Sequence, residues 1–319
     1  MLIPIIFASD ENYAPYMATA MQSVMENADK EQKYVFIVLY KNLSKETLGK
    51  LKQQVCAYPY FSIEFANVSK ELENFSLKVA DIGSWTVETY FRLIVPWFFK
   101  EYDKIIYMDC DMICNSDISC VYKIDIGNNL IAGAPDVPLI SIYNTPKYKG
   151  NFKSSVIEKM DKPENYINAG FIIMNIKEFR NKYTSDYLLN LAQNSGYKFN
   201  DQDIFNSIAE NSIFILPQEF NFLNTDWDIS HAPEKMIEEY CKAKENPKII
   251  HYTTSKPWKR ELNPLYFHLF WKYSTRTPFI DSIISDMMKN KLIGQQPKRT
   301  REILVNSVFS FVKRKFLRS

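Results

Sequence analysis

Asp103-Lys104-Ile105-Ile106-Tyr107-Met108-Asp109-Cys110-Asp111 is an apolar, β-branched stretch that ends in two carboxylates separated by one residue. Side chains alternate along a strand with a period of two, so we expect Asp109 and Asp111 to project to the same side. Two hard oxygen donors at a strand end suit a divalent cation, and such a cation can hold a diphosphate. Asp-x-Asp is also common in solvated turns, so the pair alone is weak evidence for a metal site.

Two other kinds of metal site are excluded around this pair. A calcium loop that began at Asp109 would need Asp or Asn, Gly and Glu where the chain has Ile113, Cys114 and Cys120. A thiolate zinc site would need a Cys-x-x-Cys pair or a nearby His, and the sequence has neither there. We therefore predict that Cys110, Cys114 and Cys120 are buried and pack as small hydrophobic residues.

Composition limits the class of protein. The 319 residues allow one large domain, or a domain with an appendage. The 46% hydrophobic and 24% charged residues are typical of a soluble globular protein with a filled core. A net charge of +2 gives no reason to expect a nucleic-acid partner.

The cysteines and the N-terminus predict a cytoplasmic location. Five irregularly spaced cysteines fit a reducing compartment better than a disulfide framework. The apolar run from Met1 lacks a basic segment, and it turns polar at Ser9. Such a run is too short for a signal peptide or a membrane span.

The first 67 residues alternate between strand and helix patterns. The apolar run Ile3 to Ala8 is typical of a central parallel strand, and it ends in the polar residues 9–13, where open α/β sheets bind ligands. We then predict a helix over 14–28, a strand over 33–39, a helix over 43–56 and a strand over 61–65. This order predicts a doubly wound α/β sheet.

Glycine-based nucleotide sites are excluded. The chain has only 8 Gly, and none stands in a Gly-x-Gly or P-loop arrangement. A Rossmann dinucleotide enzyme and a Walker ATPase are therefore not expected. A nucleoside diphosphate bound here would have to be held by a metal ion and side chains.

Residues 84–95 are predicted to form a helix that Pro96 closes, and Arg92 lies within this mostly apolar segment. One interpretation is that the Arg92 stem covers apolar surface while its head reaches water. The other is that Arg92 contacts a phosphate or a ribose.

Six short motifs follow one another over residues 3 to 258. In order they are Ala8-Ser9-Asp10-Glu11-Asn12-Tyr13, Thr89-Tyr90-Phe91-Arg92-Leu93, Asp109-Cys110-Asp111, Asn168-Ala169-Gly170-Phe171, Asp201-Gln202-Asp203 and His251-Tyr252…Lys256-Pro257-Trp258. Together they resemble glycosyltransferase family 8, the retaining α-glucosyl- and α-galactosyltransferases of lipopolysaccharide core synthesis, to which glycogenin also belongs.

The resemblance implies a GT-A fold, which is a single-domain, Rossmann-like mixed sheet with flanking helices. It also implies Mn²⁺, UDP-glucose or UDP-galactose as donor, a cell-surface glycan or lipid-linked acceptor, and retention of the anomeric configuration. We expect this domain to span residues 1–275 and a basic helical tail to span residues 276–319.

The resemblance also implies roles for individual residues. The metal ligands would be Asp109, Asp111 and His251. The uridine pocket would be lined by Ala8, Asp10 and Asn12. The donor sugar and its phosphates would be contacted by Arg92, Asp136, Asn168, Asp201, Gln202 and Lys256. Family members carry an amide opposite the anomeric carbon, here Gln202, so retention is expected to proceed by attack of the acceptor on the face from which UDP leaves.

Residue chemistry is consistent with these roles. Two carboxylates and one imidazole leave about three positions of an octahedral Mn²⁺ shell for the donor phosphates. The cation and Lys256 would neutralise charge on the departing UDP. Alternatively, His251 is an ordinary histidine at a strand end. Asp201 can likewise cap a helix that begins near residue 201, and we expect at least one carboxylate of the Asp201-Gln202-Asp203 run to have such a structural role.

One departure from the family pattern concerns the segment after His251. Family members usually have Gly there and five residues before the lysine, whereas this chain has Thr253, Thr254 and Ser255 and only four residues before Lys256. A backbone without Gly approaches phosphate less freely, so the role of Lys256 stays open.

Residues 298–318 are basic at both ends and carry apolar residues at helical spacing between them. This pattern favours an interfacial helix that binds an anionic membrane surface, and thus peripheral association with the inner face of the membrane. A core-packing helix and a calmodulin-like target are the weaker interpretations.

Two other functions are alternatives at this point. A metal-dependent sugar nucleotidyltransferase should have a Gly-rich phosphate loop near its N-terminus, which this chain lacks. A non-enzymatic module that binds sugar nucleotides would not need Asp109, Asp111 and His251 together.

Overall fold

The computed structural model describes residues 1–79, 86–153, 155–254, 256–259 and 265–288. Within them the strands are β1 (Leu2–Ala8), β2 (Lys33–Tyr40), β3 (Phe61–Asn67), β4 (Lys104–Met108), β5 (Met112–Cys114), β6 (Ile131–Pro135), β7 (Ile167–Asn175), β8 (Ile213–Ile215), β9 (Phe222–Leu223) and β10 (Ile249–His251). The α-helices are α1 (Ala14–Asn27), α2 (Lys45–Cys56), α3 (Val95–Phe98), α4 (Ser119–Tyr122), α5 (Val137–Asn144), α6 (Ile176–Lys182), α7 (Ser185–Asn194), α8 (Asn200–Ala209), α9 (Glu234–Glu245), α10 (Phe267–Ser274) and α11 (Ile280–Met287). Short 3₁₀ helices include Val87–Ile94 and Gln218–Phe220.

The strands form a mixed seven-stranded sheet and a small second sheet. The large sheet has the order β3-β2-β1-β4-β7-β6-β8. Its first four strands are parallel, β7 is antiparallel to both β4 and β6, and β8 is parallel to β6. The small sheet has the order β5-β10-β9.

Alternate residues of the central strands enter two different cores. Ile5 and Phe7 of β1 pack in a cluster with residues of α1 and α2, whereas Ile6 packs in a cluster with residues of the Val87–Ile94 segment, α7 and α8. Because both faces of β1 are covered, its sequence is a continuous apolar run. The predicted α/β class and the strand-helix order up to β3 are thus confirmed.

The helix predicted over residues 84–95 has a different form. A 3₁₀ helix covers Val87–Ile94, and α3 starts at Val95 with Pro96 in its first turn. The prediction that Pro96 closes the helix is therefore wrong. Proline lacks an N–H and has a fixed φ, and both properties suit the first turn of a helix as well as they suit its end. Ser84 and Trp85 lie outside the described residues.

The prediction for the three cysteines is correct at two positions. Cys110 and Cys114 are buried, but Cys120 is exposed. Cys120 lies in α4, where Ser119, Val121 and Tyr122 are the buried residues. A helix of one turn faces the core with only some of its side chains. The apolar character of cysteine alone did not show that Cys120 faces solvent.

The C-terminal elements that the structure describes pack onto α1. Ile283 and Ile284 of α11 belong to a third apolar cluster, together with Tyr16 of α1 and Trp271 of α10. Residues 289–319, which include the predicted amphipathic segment 298–318, lie outside the described residues. Among the helices that are described, none combines the length and the apolar character needed to cross a membrane.

Candidate active site

A cavity of about 500 Å³ lies where β1 and β4 end. Eleven of the twelve residues proposed from the sequence for the site line it, namely Ala8, Asp10, Arg92, Asp109, Asp111, Asp136, Asn168, Asp201, Gln202, His251 and Lys256. Asn12 does not line the cavity. It is exposed, and its amide donates to Asp10 Oδ2 at 3.3 Å.

The two aspartates of the central motif lie in a turn, not on a strand. β4 ends at Met108 and β5 begins at Met112, so Asp109 to Asp111 form the connection between them. The Asp109 N–H donates to the Gly170 carbonyl at 2.8 Å, and the Asp111 carbonyl accepts from Tyr252 N–H at 3.0 Å. These bonds fix both ends of the turn.

His251 reaches the aspartates through strand pairing. β10 is antiparallel to β5, and His251 lies opposite Met112, the residue after Asp111. His251 Nε2 is 3.2 Å from Asp111 Oδ1 and 3.9 Å from Asp109 Oδ2. The ligand atoms of the three side chains lie within 4.8 Å of one another, so this group could hold a divalent cation.

Gly170 makes room for this cluster. A Cβ at position 170 would contact the His251 ring and would lie 2.8 Å from Asp109 Oδ2. The backbone of β7 therefore passes so close to the three side chains that only glycine fits there without a shift.

Arg92 joins two carboxylates in the wall of the cavity. It is only 4% exposed, with Nη2 2.7 Å from Asp109 Oδ1 and Nε 3.0 Å from Asp201 Oδ2. Its guanidinium lies 4.0 Å from the centre of the Tyr107 ring, and Nη1 donates to the Ala169 carbonyl at 2.5 Å. The head of Arg92 therefore does not reach water, which excludes the first of the two interpretations of this residue.

Burial and charge set the ionisation of the carboxylates. Burial raises the pKa of Asp109 against the opposing effect of Arg92. Burial also raises the pKa of Asp201 to about 6, again against Arg92. For Asp111 burial acts in the same direction, but Lys256 and His251 outweigh it and lower the pKa. The Asp111 carboxyl is thus ionised over the whole ordinary pH range.

Asp136, Asn168 and Gln202 form one hydrogen-bonded group. Asp136 Oδ2 accepts from Asn168 Nδ2 at 3.0 Å and from Gln202 Nε2 at 3.1 Å. Asp136 Oδ1 accepts from the Leu139 N–H at 3.1 Å, so Asp136 also caps α5. Gln202 Oε1 accepts from the Ala169 N–H at 3.1 Å.

Asp203, not Asp201, stabilises the start of α8. Asp203 accepts from the N–H of Phe199 at 3.0 Å and from the Tyr166 hydroxyl at 2.8 Å. The suggestion that Asp201 caps this helix is therefore wrong. Asp201 is bound instead by Arg92 and by the Thr89 hydroxyl. A sequence alone cannot decide between two acidic residues that stand two positions apart.

Lys256 is buried and paired with Asp111. Its ammonium also donates to the Tyr252 carbonyl. The shortened segment after His251 thus still brings the lysine to the acidic cluster.

The described residues that line the cavity are strongly acidic. The carboxylates are Asp10, Glu88, Asp109, Asp111, Asp136 and Asp201, and the fully basic side chains are Arg92 and Lys256. Six carboxylates against two bases would repel an anionic ligand in the absence of a cation.

Sequence reasoning missed two residues of this site. Thr89 was quoted only as part of a motif, yet its hydroxyl donates to Asp201. Asn221 belongs to none of the six motifs, although it is fully buried and contacts His251 Nδ1 at 3.2 Å. No local pattern marks Asn221, because its partners lie 30 and 53 residues away along the chain.

Solved structures with the same architecture are glycosyltransferases. The chain superimposes on the bifunctional glycosyltransferase WbbM in its apo form with a TM-score of 0.78 and 26% identity, over 90% of this chain and 52% of that one. It superimposes on the galactosyltransferase LgtC, solved with donor and acceptor sugar analogues, with a TM-score of 0.70 and 21% identity, over 86% and 96% of the two chains. The fold is therefore the GT-A glycosyltransferase fold.

Sequence comparison defines the family. The model of Glycosyl transferase family 8 matches residues 4–261, and the chain belongs to this family. A Haemophilus influenzae protein named as a candidate glycosyltransferase is 30% identical over 234 residues, which are 70% of this chain and 64% of that protein. Lipopolysaccharide 1,2-glucosyltransferase of Escherichia coli is 26% identical over 257 residues, or 78% of this chain and 71% of the enzyme.

The family resemblance stated from six motifs is thus confirmed, and the chain belongs to a family of glycosyltransferases. This finding favours glycosyl transfer over the nucleotidyltransferase and the sugar-binding module. The match spans slightly less than two thirds of the Haemophilus influenzae relative and about half of WbbM.

Proposed function

We propose that this chain is a metal-dependent, retaining hexosyltransferase that moves glucose or galactose from a UDP-sugar to a cell-surface glycan or lipid-linked acceptor. The observation that carries the proposal is the group of Asp109, Asp111 and His251. Their ligand atoms lie within 4.8 Å of one another at the edge of a cavity of about 500 Å³, a volume that suits a small-molecule ligand.

Charge supports a cation in this site. A UDP-sugar carries two phosphate charges into a cavity that already holds four more carboxylates than basic side chains. Two carboxylates and one imidazole are a donor set that Mn²⁺ accepts, and they fit this role. The bound cation would act as a Lewis acid that stabilises negative charge on the departing UDP.

The buried charges around the cluster hold its ligands in place. Arg92 pairs with Asp109 and Lys256 pairs with Asp111, so each carboxylate keeps a fixed position before the donor arrives. Because Lys256 already lies against Asp111, its ammonium is also within reach of a diphosphate bound at the same cluster. We therefore assign Lys256 to neutralise charge on the leaving group.

Retention is proposed to proceed by front-face attack. The acceptor oxygen bonds to the anomeric carbon while the bond from that carbon to the UDP oxygen breaks, and the hydroxyl proton passes to the departing phosphate. Asp201 is a poor candidate for a covalent nucleophile, because Thr89 and Arg92 occupy its two oxygens. Gln202 lies in the cavity wall, where its amide can hydrogen-bond a sugar with oxocarbenium character.

The acceptor class is proposed from the relatives. The Escherichia coli relative is a lipopolysaccharide glucosyltransferase, which favours an acceptor of the same surface-glycan class. We propose that the enzyme works in the cytoplasm, bound peripherally to the inner face of the membrane through residues 298–318. A screen of UDP-sugars, scored by hydrolysis without acceptor, would decide between glucose and galactose.

Asp111→Ala tests the proposed function. We expect this variant to lose Mn²⁺-dependent UDP-sugar hydrolysis, because Asp111 is the cluster carboxylate whose pKa is lowered and which is always ionised. Its melting temperature should fall, because the buried Lys256 loses its partner, so hydrolysis is compared at a temperature where both proteins are folded.

The control is Asp161→Ala, which removes an exposed carboxylate outside the cavity and should leave hydrolysis unchanged. Full wild-type hydrolysis in excess chelator would rule out metal dependence.

A further inference from the structure

A continuous chain of hydrogen bonds connects Gln202 to His251 through the wall of the cavity. Gln202 Nε2 and Asn168 Nδ2 both donate to Asp136 Oδ2, at 3.1 and 3.0 Å. Asn221 Nδ2 donates to Asn168 Oδ1 at 3.1 Å, and Asn221 Oδ1 lies 3.2 Å from His251 Nδ1. All five side chains lie in or next to the site, but Asn221 does not line the cavity.

Backbone N–H groups fix the direction of this chain. The Gly170 N–H donates to Asn168 Oδ1 at 3.0 Å, and the Ala169 N–H donates to Gln202 Oε1 at 3.1 Å. A backbone N–H can only donate, so in both amides the oxygen must face the backbone. The NH₂ groups of Asn168 and Gln202 must therefore face Asp136, whose carboxylate accepts both.

The direction then passes to Asn221 and His251. With its oxygen facing Gly170, Asn168 can only accept from Asn221, so the Asn221 NH₂ faces Asn168. The Asn221 oxygen is left for His251, and His251 Nδ1 must donate to it. In a neutral imidazole the other nitrogen, Nε2, then carries the lone pair, and it faces Asp111 and Asp109.

Burial prevents water from replacing the hydrogen bond between Asn221 and His251. Asn221 is 0% exposed and His251 is 4% exposed, so water cannot take the place of the Asn221 oxygen as acceptor. The backbone of Gly170 also lies close to the ring of His251.

We propose that Asn221 is a positioning residue that holds neutral His251 in the Nδ1–H tautomer, so that Nε2 is free to bind the cation. The proposal rests on the cation site of the proposed function. In this arrangement Asp136 accepts hydrogen bonds from both Gln202 and Asn168, so two branches of the hydrogen-bonded chain start at its carboxylate. One branch orients the amide of Gln202, and the other, through Asn168 and Asn221, orients the metal-binding nitrogen of His251.

The tautomer can be measured without any metal. The chain has only 3 His, at positions 231, 251 and 268, and His251→Gln identifies the His251 signals in a ¹⁵N-histidine-labelled sample. The spectra are recorded at successively higher pH until the histidine ¹⁵N shifts no longer change, so that only neutral imidazoles contribute. We expect long-range ¹H–¹⁵N spectra of the wild type to show His251 as the Nδ1–H tautomer. The Nε2–H tautomer in the wild type would overturn the proposal.

Two substitutions at position 221 separate positioning from simple packing. Asn221→Leu and Asn221→Asp both remove the donor to Asn168, but only Asp keeps an acceptor for His251 Nδ1. We expect Asn221→Leu to weaken Mn²⁺ binding by about ten- to a hundredfold. The affinity is measured from the electron paramagnetic resonance signal of free Mn²⁺. This variant should also lose the Nδ1–H tautomer.

Asn221→Asp should keep the tautomer and lose less Mn²⁺ affinity than Asn221→Leu, although its second carboxylate oxygen meets Asn168 Oδ1. A purely structural role predicts the reverse order, because the Asp variant adds that repulsion. Wild-type Mn²⁺ affinity in a folded Asn221→Leu variant, or loss of the tautomer in Asn221→Asp, would contradict the proposal. If the wild-type chain binds no Mn²⁺, the proposed function fails, whereas the metal-free tautomer still tests Asn221 by itself.

Discussion

Arg92 shows how much one buried residue can determine in this site. Its guanidinium contacts Asp109, which lies in the proposed metal site, and Asp201 beside Gln202, and almost none of it is exposed. The two carboxylates raise the pKa of Arg92 although burial opposes its charge, so the charge is permanent. A buried pair of this kind is costly to break, since removal of one partner leaves the other charge without compensation.

Gln202 is the residue on which the proposed chemistry depends most. We expect Gln202→Ala to lower turnover more than donor affinity, because a hydrogen bond that forms in the transition state is lost. The loss in kcat should be about a hundredfold, as for other transition-state hydrogen bonds. Steady-state kinetics of transfer and titration with UDP-sugar would give the two effects separately.

Gln53→Ala, at an exposed position of α2, is the matched control for that substitution. A glycosyl-enzyme adduct on Asp201, detected by mass spectrometry, would favour double displacement over front-face attack.

Asp201 predicts a pH dependence of stability. Its pKa in the folded protein is about 6, above its ordinary value of 3.8, because the side chain is buried. Between these values the folded state binds the proton more tightly than the unfolded state, so the free energy of unfolding falls as pH rises. The contribution of this one group is about 3 kcal/mol at most.

Thermal melts of wild type and Asp201→Asn between pH 4 and 7 would measure this contribution. We expect the stability of the wild type relative to the variant to decrease as pH rises through 6. A difference that is constant over this range would show that Asp201 has an ordinary pKa.

At the level of single residues, the sequence predicted the members of the site better than their contacts. Eleven of twelve proposed residues line the cavity, because short motifs identify residue types and their order. Asn221 escaped this reasoning because its role arises from contacts between distant segments. Arg92 was found, but its two carboxylate partners become clear only in the folded structure, where the turn after β4 and the start of α8 come together.

At the level of elements, short strands bring Asp109, Asp111 and His251 together. β5 and β10 contain three residues each, and their pairing places His251 beside the turn that carries Asp109 and Asp111. The strands β1, β2 and β3 could be predicted because seven or eight residues carry a clear apolar pattern. A strand end was expected at His251, but a strand of three residues does not reveal its pairing partners, so the second sheet was not predicted from the sequence.

Gly170 tests how closely β7 must approach this group. We expect Gly170→Ala to reduce Mn²⁺-dependent hydrolysis about tenfold or more, because the new Cβ would displace the His251 ring and Asp109. The overpacking should also cost about 1–3 kcal/mol of stability. Hydrolysis rates and thermal melts of the same preparations would give both values.

Gly49→Ala is the control for the same chemical change, since nothing lies within 4 Å of a Cβ at position 49 in α2. It should leave activity close to wild type and raise stability by up to about 1 kcal/mol, because Ala favours a helix interior more than Gly does. Unchanged hydrolysis in Gly170→Ala would mean that the cluster does not need the close approach of β7.

At the level of the whole molecule, charge is divided unevenly along the chain. Residues 289–319 contain nine basic side chains and one acidic residue, Glu302, which gives a local charge of +8. Because the whole chain is only +2, residues 1–288 carry a net charge of −6. The acidic cavity thus belongs to an acidic domain, and the basic charge is concentrated at the other end of the sequence.

This division predicts that the C-terminal segment binds an anionic membrane surface. Each basic residue near such a surface contributes about 1 kcal/mol, and buried apolar side chains add a part that salt does not screen. A chain that ends at Gln296 should stay folded and hydrolyse UDP-sugar normally, yet it should no longer sediment with anionic liposomes. For the full chain, added salt should weaken sedimentation without abolishing it, because the apolar contribution remains.

Neutral liposomes are the control and should retain far less of the full chain. A truncated chain that unfolds would identify the segment as part of the core, and the membrane proposal would then fail.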